Sequence, residues 1–403
     1  MQTRSIKLLL VLSALFLAAA CAQRETDVGV NAIPVAPDES EGKTFVGATR
    51  SAEWDLDLSP GRGAVLQVGE AQGFKVVSAV RFELAAILPD SFVIDTARIR
   101  FRVDQVYPGR GNAPDLRMLI KSVAEDWTED QLKEDTLPNR SEYSVIDTIL
   151  LTTAPLGAGD TLPPAVYWTV PDSILNAWIT EDTLNHGILL EAENPNVIVG
   201  IQSEEGAEAY RIQLELVGSQ FPEDSNFAET PWSQIVLPAD DGYLATDLSD
   251  SLSGRLRVSQ GSYRRALLYF PLDSMTVNPL RTVVRAWVHF YADLNAPNSL
   301  VYQGSNFLYK DASLIDTAWF AVPDSATQNF IALNSTAFQS DNRKISFEVT
   351  NSLVGMVGNP STNGGFSIQA SLESDILSRQ YFHGHNSEVD SLRPQLEIWW
   401  VEP

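Results

Sequence analysis

The sequence predicts an all-β fold: two tandem antiparallel β-sandwiches, jelly-roll-like, behind an N-terminal signal and a flexible tether. Three observations predict it. Motifs of the first half recur in the same order in the second. The recurring segments alternate apolar and polar residues, and turn signals built from Gly, Pro and Asn separate them. A chain of 403 residues is comfortable for two all-β domains, and its 44% hydrophobic and 20% charged residues are those of an ordinary globular protein.

The first element is the signal. Arg4 and Lys7 precede the apolar run "LLLVLSALFLAAA", Leu8 to Ala20, and Cys21 follows at once. A basic start, a short apolar stretch and small residues before a cut describe an export signal, too short for a comfortable membrane span. The single cysteine of the chain stands directly after Ala18-Ala19-Ala20, and the arrangement resembles a bacterial lipoprotein signal. That resemblance implies removal of residues 1–20, lipidation of Cys21 and attachment to the membrane through this N-terminal lipid. One departure is that Ala18 occupies the position where such signals favour Leu, with Leu17 one residue earlier. The alternative is an ordinary secretory signal beside an incidental cysteine. Acylation would remove a lone thiol that is a liability in an exported protein, and the folded cores must then suffice without disulfides. Residues 21–42 are polar, proline-containing and without apolar periodicity, the composition of a flexible tether. Ala22, not Asp, follows the cysteine, which by resemblance to bacterial sorting rules implies a lipid-anchored protein of the outer membrane, on its periplasmic or its surface-exposed face. No later stretch is apolar enough to span a bilayer.

The repeat follows. "AVLQVGEA" (Ala64 to Ala71) matches "GRLRVSQG" (Gly254 to Gly261), and "SAVRFEL" matches "ALLYFPL" with Phe82 opposite Phe270, a shift of 188. "IDTARIRFRV" matches "VVRAWVHFYA", placing Ala97, Ile99 and Phe101 opposite Ala286, Val288 and Phe290. "VPDSIL" matches "VTNSLV", Gly187 falls opposite Gly365, and "IQLELV" matches "PQLEIW". Within these segments Ile99, Phe101 and Val103 alternate with Arg98, Arg100 and Arg102, and Tyr210, Ile212, Leu214 and Leu216 with Arg211, Gln213 and Glu215. A period of two with one wet face marks half-buried antiparallel strands. Turns are expected at Pro108-Gly109, Asn194-Pro195, Asn295-Ala296-Pro297 and Asn363-Gly364-Gly365. The helical candidates are short, Ser173 to Trp178 and Asn351 to Val357. The polar stretch Gly218 to Pro231, with two prolines, is the expected boundary. The expected division is thus a sandwich over 43–218, a linker over 219–231 and a second sandwich over 232–403.

This order of motifs resembles the DNRLRE domain, an extracellular bacterial and archaeal β-sandwich module related to carbohydrate-binding module family 96. The residues that carry the resemblance are "RALLYFPLDSM", "VVRAWVHFY", "VTNSLVGMV" and "SEVDSLRPQLEIWW" in the second half, with "AVRFEL", "EDWTED" and "YRIQLEL" in the first. It spans nearly all of the chain after the tether and rests mostly on core patterns, which specify fold more than activity. The first copy has Arg211-Ile212 where the second has Arg393-Pro394, and the second lacks a clear "DWTE". The resemblance implies carbohydrate as ligand.

Charge and chemistry narrow the function classes. A net charge of −24 argues against nucleic acid and anionic membrane surfaces, which rely on Lys and Arg to neutralise phosphate. It disfavours polyanionic ligands unless a divalent cation bridges them. No nucleophile elbow, phosphate-cradling glycine loop, dinucleotide fingerprint or H-E-x-x-H appears, so no catalytic residue is expected and the chain is read as a non-enzyme. "HGH", His383 to His385, has no third ligand at a telling spacing. Binding has better support. Trp287 and Tyr291, with His289, lie opposite the core set Val284, Ala286, Val288 and Phe290, and Trp399 lies opposite Leu396, Ile398 and Trp400. Aromatic rings on a wet sheet face suit the C–H faces of sugars, and they equally suit packing on the other domain or the tether. Asp126, Glu129 and Asp130 around Trp127 are candidates to hold structural calcium, or else form a solvated loop with Trp127 plugging the sandwich end. Two functions compete. One is a non-catalytic cell-envelope lipoprotein binding extracellular or cell-surface polysaccharide through Trp287, Tyr291, Trp399 and Trp127. The other is a structural or adhesion module of an envelope protein assembly.

Overall fold

The computed structural model describes residues 42–55, 63–84, 92–132, 140–157, 162–180, 185–220, 230–262, 264–272, 281–296, 306–311, 335–337, 344–370 and 377–401, with Leu88 and Leu137 between them. The signal, Cys21 and the tether before Gly42 lie outside these residues.

The described residues are mostly strands, with two short helices. The first repeat supplies β1 (Gly42–Gly47), β2 (Arg50–Asp55), β3 (Val65–Ala71), β4 (Phe74–Arg81), β5 (Phe92–Phe101), β6 (Val103–Tyr107), β7 (Leu116–Ser122), β8 (Val145–Leu151), β9 (Val166–Thr169), helix α1 (Asp172–Thr180), β10 (Ile188–Ala192), β11 (Val197–Gln202) and β12 (Gln213–Gln220). The second supplies β13 (Thr230–Val236), β14 (Asp240–Asp247), β15 (Arg255–Gln260), β16 (Arg264–Tyr269), β17 (Thr282–Tyr291), β18 (Asn306–Asp311), β19 (Ser335–Ala337), β20 (Lys344–Glu348), helix α2 (Thr350–Gly358), β21 (Phe366–Ala370), β22 (Ser378–His383) and β23 (Gln395–Val401). Both short helices expected from sequence are present, each a little longer than its pattern. They bury Leu175 and Trp178 in α1, and Leu353 and Met356 in α2.

All named ladders are antiparallel, and the two halves share one topology. A four-stranded sheet β13-β12-β5-β9 has its counterpart in β1-β23-β17-β20. A larger sheet, β6-β11-β3-β4-β10-β7-β8 with β14 also on β4, has its counterpart in β15-β22 and β19-β18-β21-β16-β2. Alternation then builds each core. Ala97, Ile99, Phe101, Leu214 and Leu216 from the smaller sheet meet Leu66, Val68, Val80, Ile120, Ile188 and Val199 from the larger. Ala286, Val288, Phe290, Leu396 and Ile398 meet Val258, Leu268, Phe366, Ile368 and Phe382 in the second half. These are two sandwiches, each closed around its own core.

Small devices recur with the topology. Gly187 (φ 77°) and Gly365 (φ 86°) both take the left-handed conformation open to glycine. A Cβ at either would lie 2.2 Å from the carbonyl oxygen of the equivalent strand residue, Val80 or Leu268. Two residues earlier, Asn185 donates its side-chain amide to the Phe82 carbonyl at 2.7 Å, and Asn363 does the same to Phe270 at 2.9 Å. Arg211 and Arg393 each donate Nε to an upstream carbonyl, Gly206 and Ser387, at 2.7 and 2.8 Å. The Arg-Ile of the first copy therefore does the structural work of the Arg-Pro in the second.

One feature departs from two self-contained halves. The first two strands of each repeat complete the other repeat's sandwich. β1 pairs with β23 and β2 with β16, whereas β13 pairs with β12 and β14 with β4. The registers coincide: Val46 faces Leu396 as Val236 faces the equivalent Leu214, and Arg50 faces Tyr269 as Asp240 faces Arg81. The sheets consequently do not divide at the expected linker over 219–231. β12 and β13 flank it as an antiparallel pair, and the crossing from one sandwich to the other lies between Asp247 and Arg255. A polar, proline-bearing stretch marks a loop, and composition alone does not separate a hairpin loop from a linker between domains.

The seam between the sandwiches holds charges deep inside. Arg379 of β22 is fully buried, lies 3.2 Å from Asp247 of β14, donates to the Gln72 carbonyl at 2.6 Å and sits over the Phe74 ring. Arg257 of β15 reaches Glu53 of β2 at 2.8 Å and Asp247 at 3.7 Å. Beside this network Leu377 joins Phe74, Ile198 and Tyr243 in an apolar cluster. Burial strips these ions of water, so the network holds only while all partners are in place.

Candidate functional site

The outward face of the sheet β1-β23-β17-β20 gathers most of the predicted binding residues. Strand alternation sends Ala286, Val288 and Phe290 inward and Trp287, His289 and Tyr291 outward. Register then sets the neighbours. On β23, Trp399 stands beside Arg285 and Lys43, and Glu397 beside Trp287 and Phe45. On β20, Glu348, Ser346 and Lys344 stand beside Trp287, His289 and Tyr291. Trp287, Tyr291 and Trp399 are each half-buried, and Phe45 at the sheet edge is 53% exposed.

A hydrogen-bonded relay fixes the middle of this face. Ser346 Oγ is 2.8 Å from His289 Nδ1, and His289 Nε2 is 2.8 Å from Glu397 Oε2. The other carboxylate oxygen of Glu397 accepts from Lys43 Nζ at 2.6 Å and from Trp399 Nε1 at 2.6 Å. Lys43 Nζ also lies 4.6 Å from the Trp399 ring centroid and 4.8 Å from that of Phe45, within cation–π range. Burial alone would raise the Glu397 carboxyl, but hydrogen bonds from Lys43, His289 and Trp399 outweigh it and hold it at about 2. Burial lowers the His289 imidazole below its ordinary value, and the bond to Glu397 only partly opposes that. The result is a surface of aromatic faces with hydrogen-bonded polar groups between them. Such a surface is suited to stacking on a flat apolar face while hydrogen-bonding its rim.

The remaining predicted residues lie elsewhere. Trp127 is 1% exposed and donates Nε1–H to the His186 carbonyl at 2.8 Å. It packs with Val77, Ala79, Leu189 and Leu244 on the outer face of the larger sheet. It is a core residue beneath a loop, not a ligand contact, and it covers the back of a sheet instead of plugging a sandwich end. Asp126 is 77% exposed and pairs with Arg81 at 3.2 Å, while the backbone N–H of Glu129 binds Asp240. Asp126, Glu129 and Asp130 do not converge, and among the described residues no group of three or more His, Cys, Asp or Glu side chains is placed to hold a metal ion. His383 turns to Ser387 and His385 to Ser51, so the two histidines of "HGH" address different partners.

No family model matches the chain, and no curated protein matches it. Two solved structures give remote likenesses. The infectious bursal disease virus VP2 subviral particle is similar at 9% identity and a TM-score of 0.12 over 90% of this chain and 77% of the other. The T13 particle of the same virus gives 11% identity and a TM-score of 0.13 over 90% and 75%. At such scores these likenesses carry no argument about this chain. Among the described residues no helix is long and apolar enough to cross a membrane.

Lys43, Phe45, Glu397, Ser346 and the relay through His289 were not singled out from sequence. Period two in the last strand puts Glu397 on the face of Trp399, which was a usable signal. Nothing in the sequence placed Lys43 and Phe45 beside that strand, because their partner lies at the other end of the chain.

Proposed function

We propose that this chain is a non-catalytic cell-envelope lipoprotein, anchored through Cys21, that binds extracellular or cell-surface polysaccharide with the outward face of β1-β23-β17-β20. The observation that carries the reading is the common placement of Trp287, Tyr291 and Trp399 on one solvent-facing surface, around an ordered His289–Glu397–Lys43 network. Aromatic rings stack on sugar C–H faces, and fixed carboxylate, imidazole and ammonium groups supply the directional bonds to hydroxyls. The motif resemblance to the DNRLRE domain points the same way. The relay holds Trp399 in place in this reading and carries out no chemistry. The acidic surface favours neutral glycans, or acidic ones in the presence of calcium as a bridge.

The test is a glycan array probed with soluble residues 43–403, with and without calcium. Saturable binding is expected, reduced at least tenfold by Trp287→Ala with the melting transition retained. Absence of binding to neutral and acidic glycans alike, together with retention of one envelope protein in a pull-down, would replace this reading with the adhesion-module one.

A further inference from the structure

The exchanged strands define an acceptor. The second sandwich presents two ladder edges, β23 and β16, that β1 and β2 fill in register. The first sandwich presents the equivalent edges, β12 and β4, and β13–β14 fill them in the same register. Equivalent slots therefore take strands from different repeats: β13 follows β12 directly along the chain, whereas β1 precedes β23 by about 350 residues and still occupies the same position.

The two occupants are held differently. β14 is embedded: Asp241, Gly242, Tyr243 and Leu244 are all buried. The outer strands are alike, β13 burying only Val236 and β1 only Val46, but β2, the equivalent of β14, has Ser51 to Trp54 only half-buried. The first strand pair is held by its backbone ladders, by ion pairs of Lys43 with Glu397 and of Glu53 with Arg257 and Arg264, and by hydrogen bonds of Ser51 with His385 and of Trp400 Nε1 with Thr44. Ladder and ion-pair contacts are reproduced in full by the same strands arriving from another molecule, and little apolar burial has to be lost on the way. The nine residues between Asp55 and Val65 span about 30 Å when extended, enough for the pair to leave its slot while β3 stays in place.

We propose that the acceptor formed by β23 and β16 takes β1–β2 of a second copy of this chain, giving strand-exchanged oligomers. The partner then contributes to the aromatic face. Lys43, which holds Glu397 and lies over Trp399, and Phe45 at the edge both arrive on β1. The face is complete only with β1 seated, and in the oligomer each face is shared between two copies.

Cysteine pairing tests this in the full chain carrying Cys21→Ser. Gly47 and Gln395 face each other across the ladder, and a Cβ at Gly47 meets nothing within 4 Å, so Gly47→Cys is accommodated. One variant carries Gly47→Cys, a second Gln395→Cys, and a third both. They are treated with a short bis-maleimide, the two single variants after co-expression. Exchange predicts a crosslinked dimer from the co-expressed pair that neither single variant gives alone. A double variant that crosslinks only within one molecule, with no dimer from the co-expressed pair, overturns the proposal. Failure of the double variant to crosslink at all overturns it as well, since β1 would then not occupy this slot.

Discussion

Asp241 shows how a single buried group sets a pH dependence. It is 2% exposed and accepts one hydrogen bond, from the Glu204 N–H at 2.9 Å. Burial pushes its carboxyl up to about 8, opposed by that hydrogen bond and reinforced by Glu205, Glu129 and Glu204. Below the usual carboxylate range both folded and unfolded chains hold the proton, and Asp241 contributes nothing. Between that range and about 8 the unfolded chain releases the proton while the native state keeps it, so stability falls as pH rises; above 8 the loss is complete. Asp241→Asn keeps the acceptor without the charge. Its urea midpoint should match the wild type near about pH 4 and exceed it at about pH 8.5, a difference worth several kcal/mol at about 1.4 kcal/mol per pKa unit. Equal midpoints at the alkaline pH would show that the group ionises freely. At the same scale, Trp287, Tyr291 and Trp399 were legible in the sequence because strand alternation fixes the face of each side chain. Trp127 was not. An indole among carboxylates reads alike whether wet or buried, and its packing on Val77 and Leu189 depends on a loop folding back over the sheet.

At the scale of the element, the Asn-x-Gly turns before β10 and β21 carry a common prediction. Gly365→Ala would place a methyl group against the Leu268 carbonyl in a left-handed backbone, and Gly187→Ala would do the same against Val80. Each should cost at least about 2 kcal/mol by chemical denaturation, and the two losses should be similar because the contacts are equivalent. A loss below half a kcal/mol at either site would mean that the strand edge yields easily. The strands themselves were readable, since period two, turn residues and the doubled motifs all agree on them. Their partners were less so. The first strands of each repeat have the same register in either sandwich, so the pattern that locates them leaves open which core they complete.

For the whole molecule, the exchange redraws the folding units. The unit that buries the first core runs from β3 through β14, and the second joins β1–β2 to β15 through β23. A fragment of residues 63–247 should therefore melt cooperatively, and at a higher temperature than residues 43–218. The latter fragment lacks Val236, Tyr243 and Leu244, all of which are buried. Calorimetry on the two fragments decides it, and a more stable 43–218 would mean that β1–β2 serves the first sandwich as well as β13–β14 does. The buried Arg379–Asp247 contact, with Arg257 and Glu53 beside it, adds a second tie between the units, and its polar partners come from both sandwiches.

The exchange also fixes an order in time. During synthesis β1 and β2 emerge first, yet their ladder partners β16 and β23 come late, the last of them ending at Val401. The first sandwich has every strand it needs once Asp247 has appeared. The second must wait for β23, because β1 pairs with it in the folded chain. Contacts so distant along the chain close slowly, and open strand edges in the interval invite association with other chains. A polypeptide interrupted anywhere between the two sandwiches would carry one finished domain and two orphan strands, so seating β1 against β23 reports that synthesis has passed Val401.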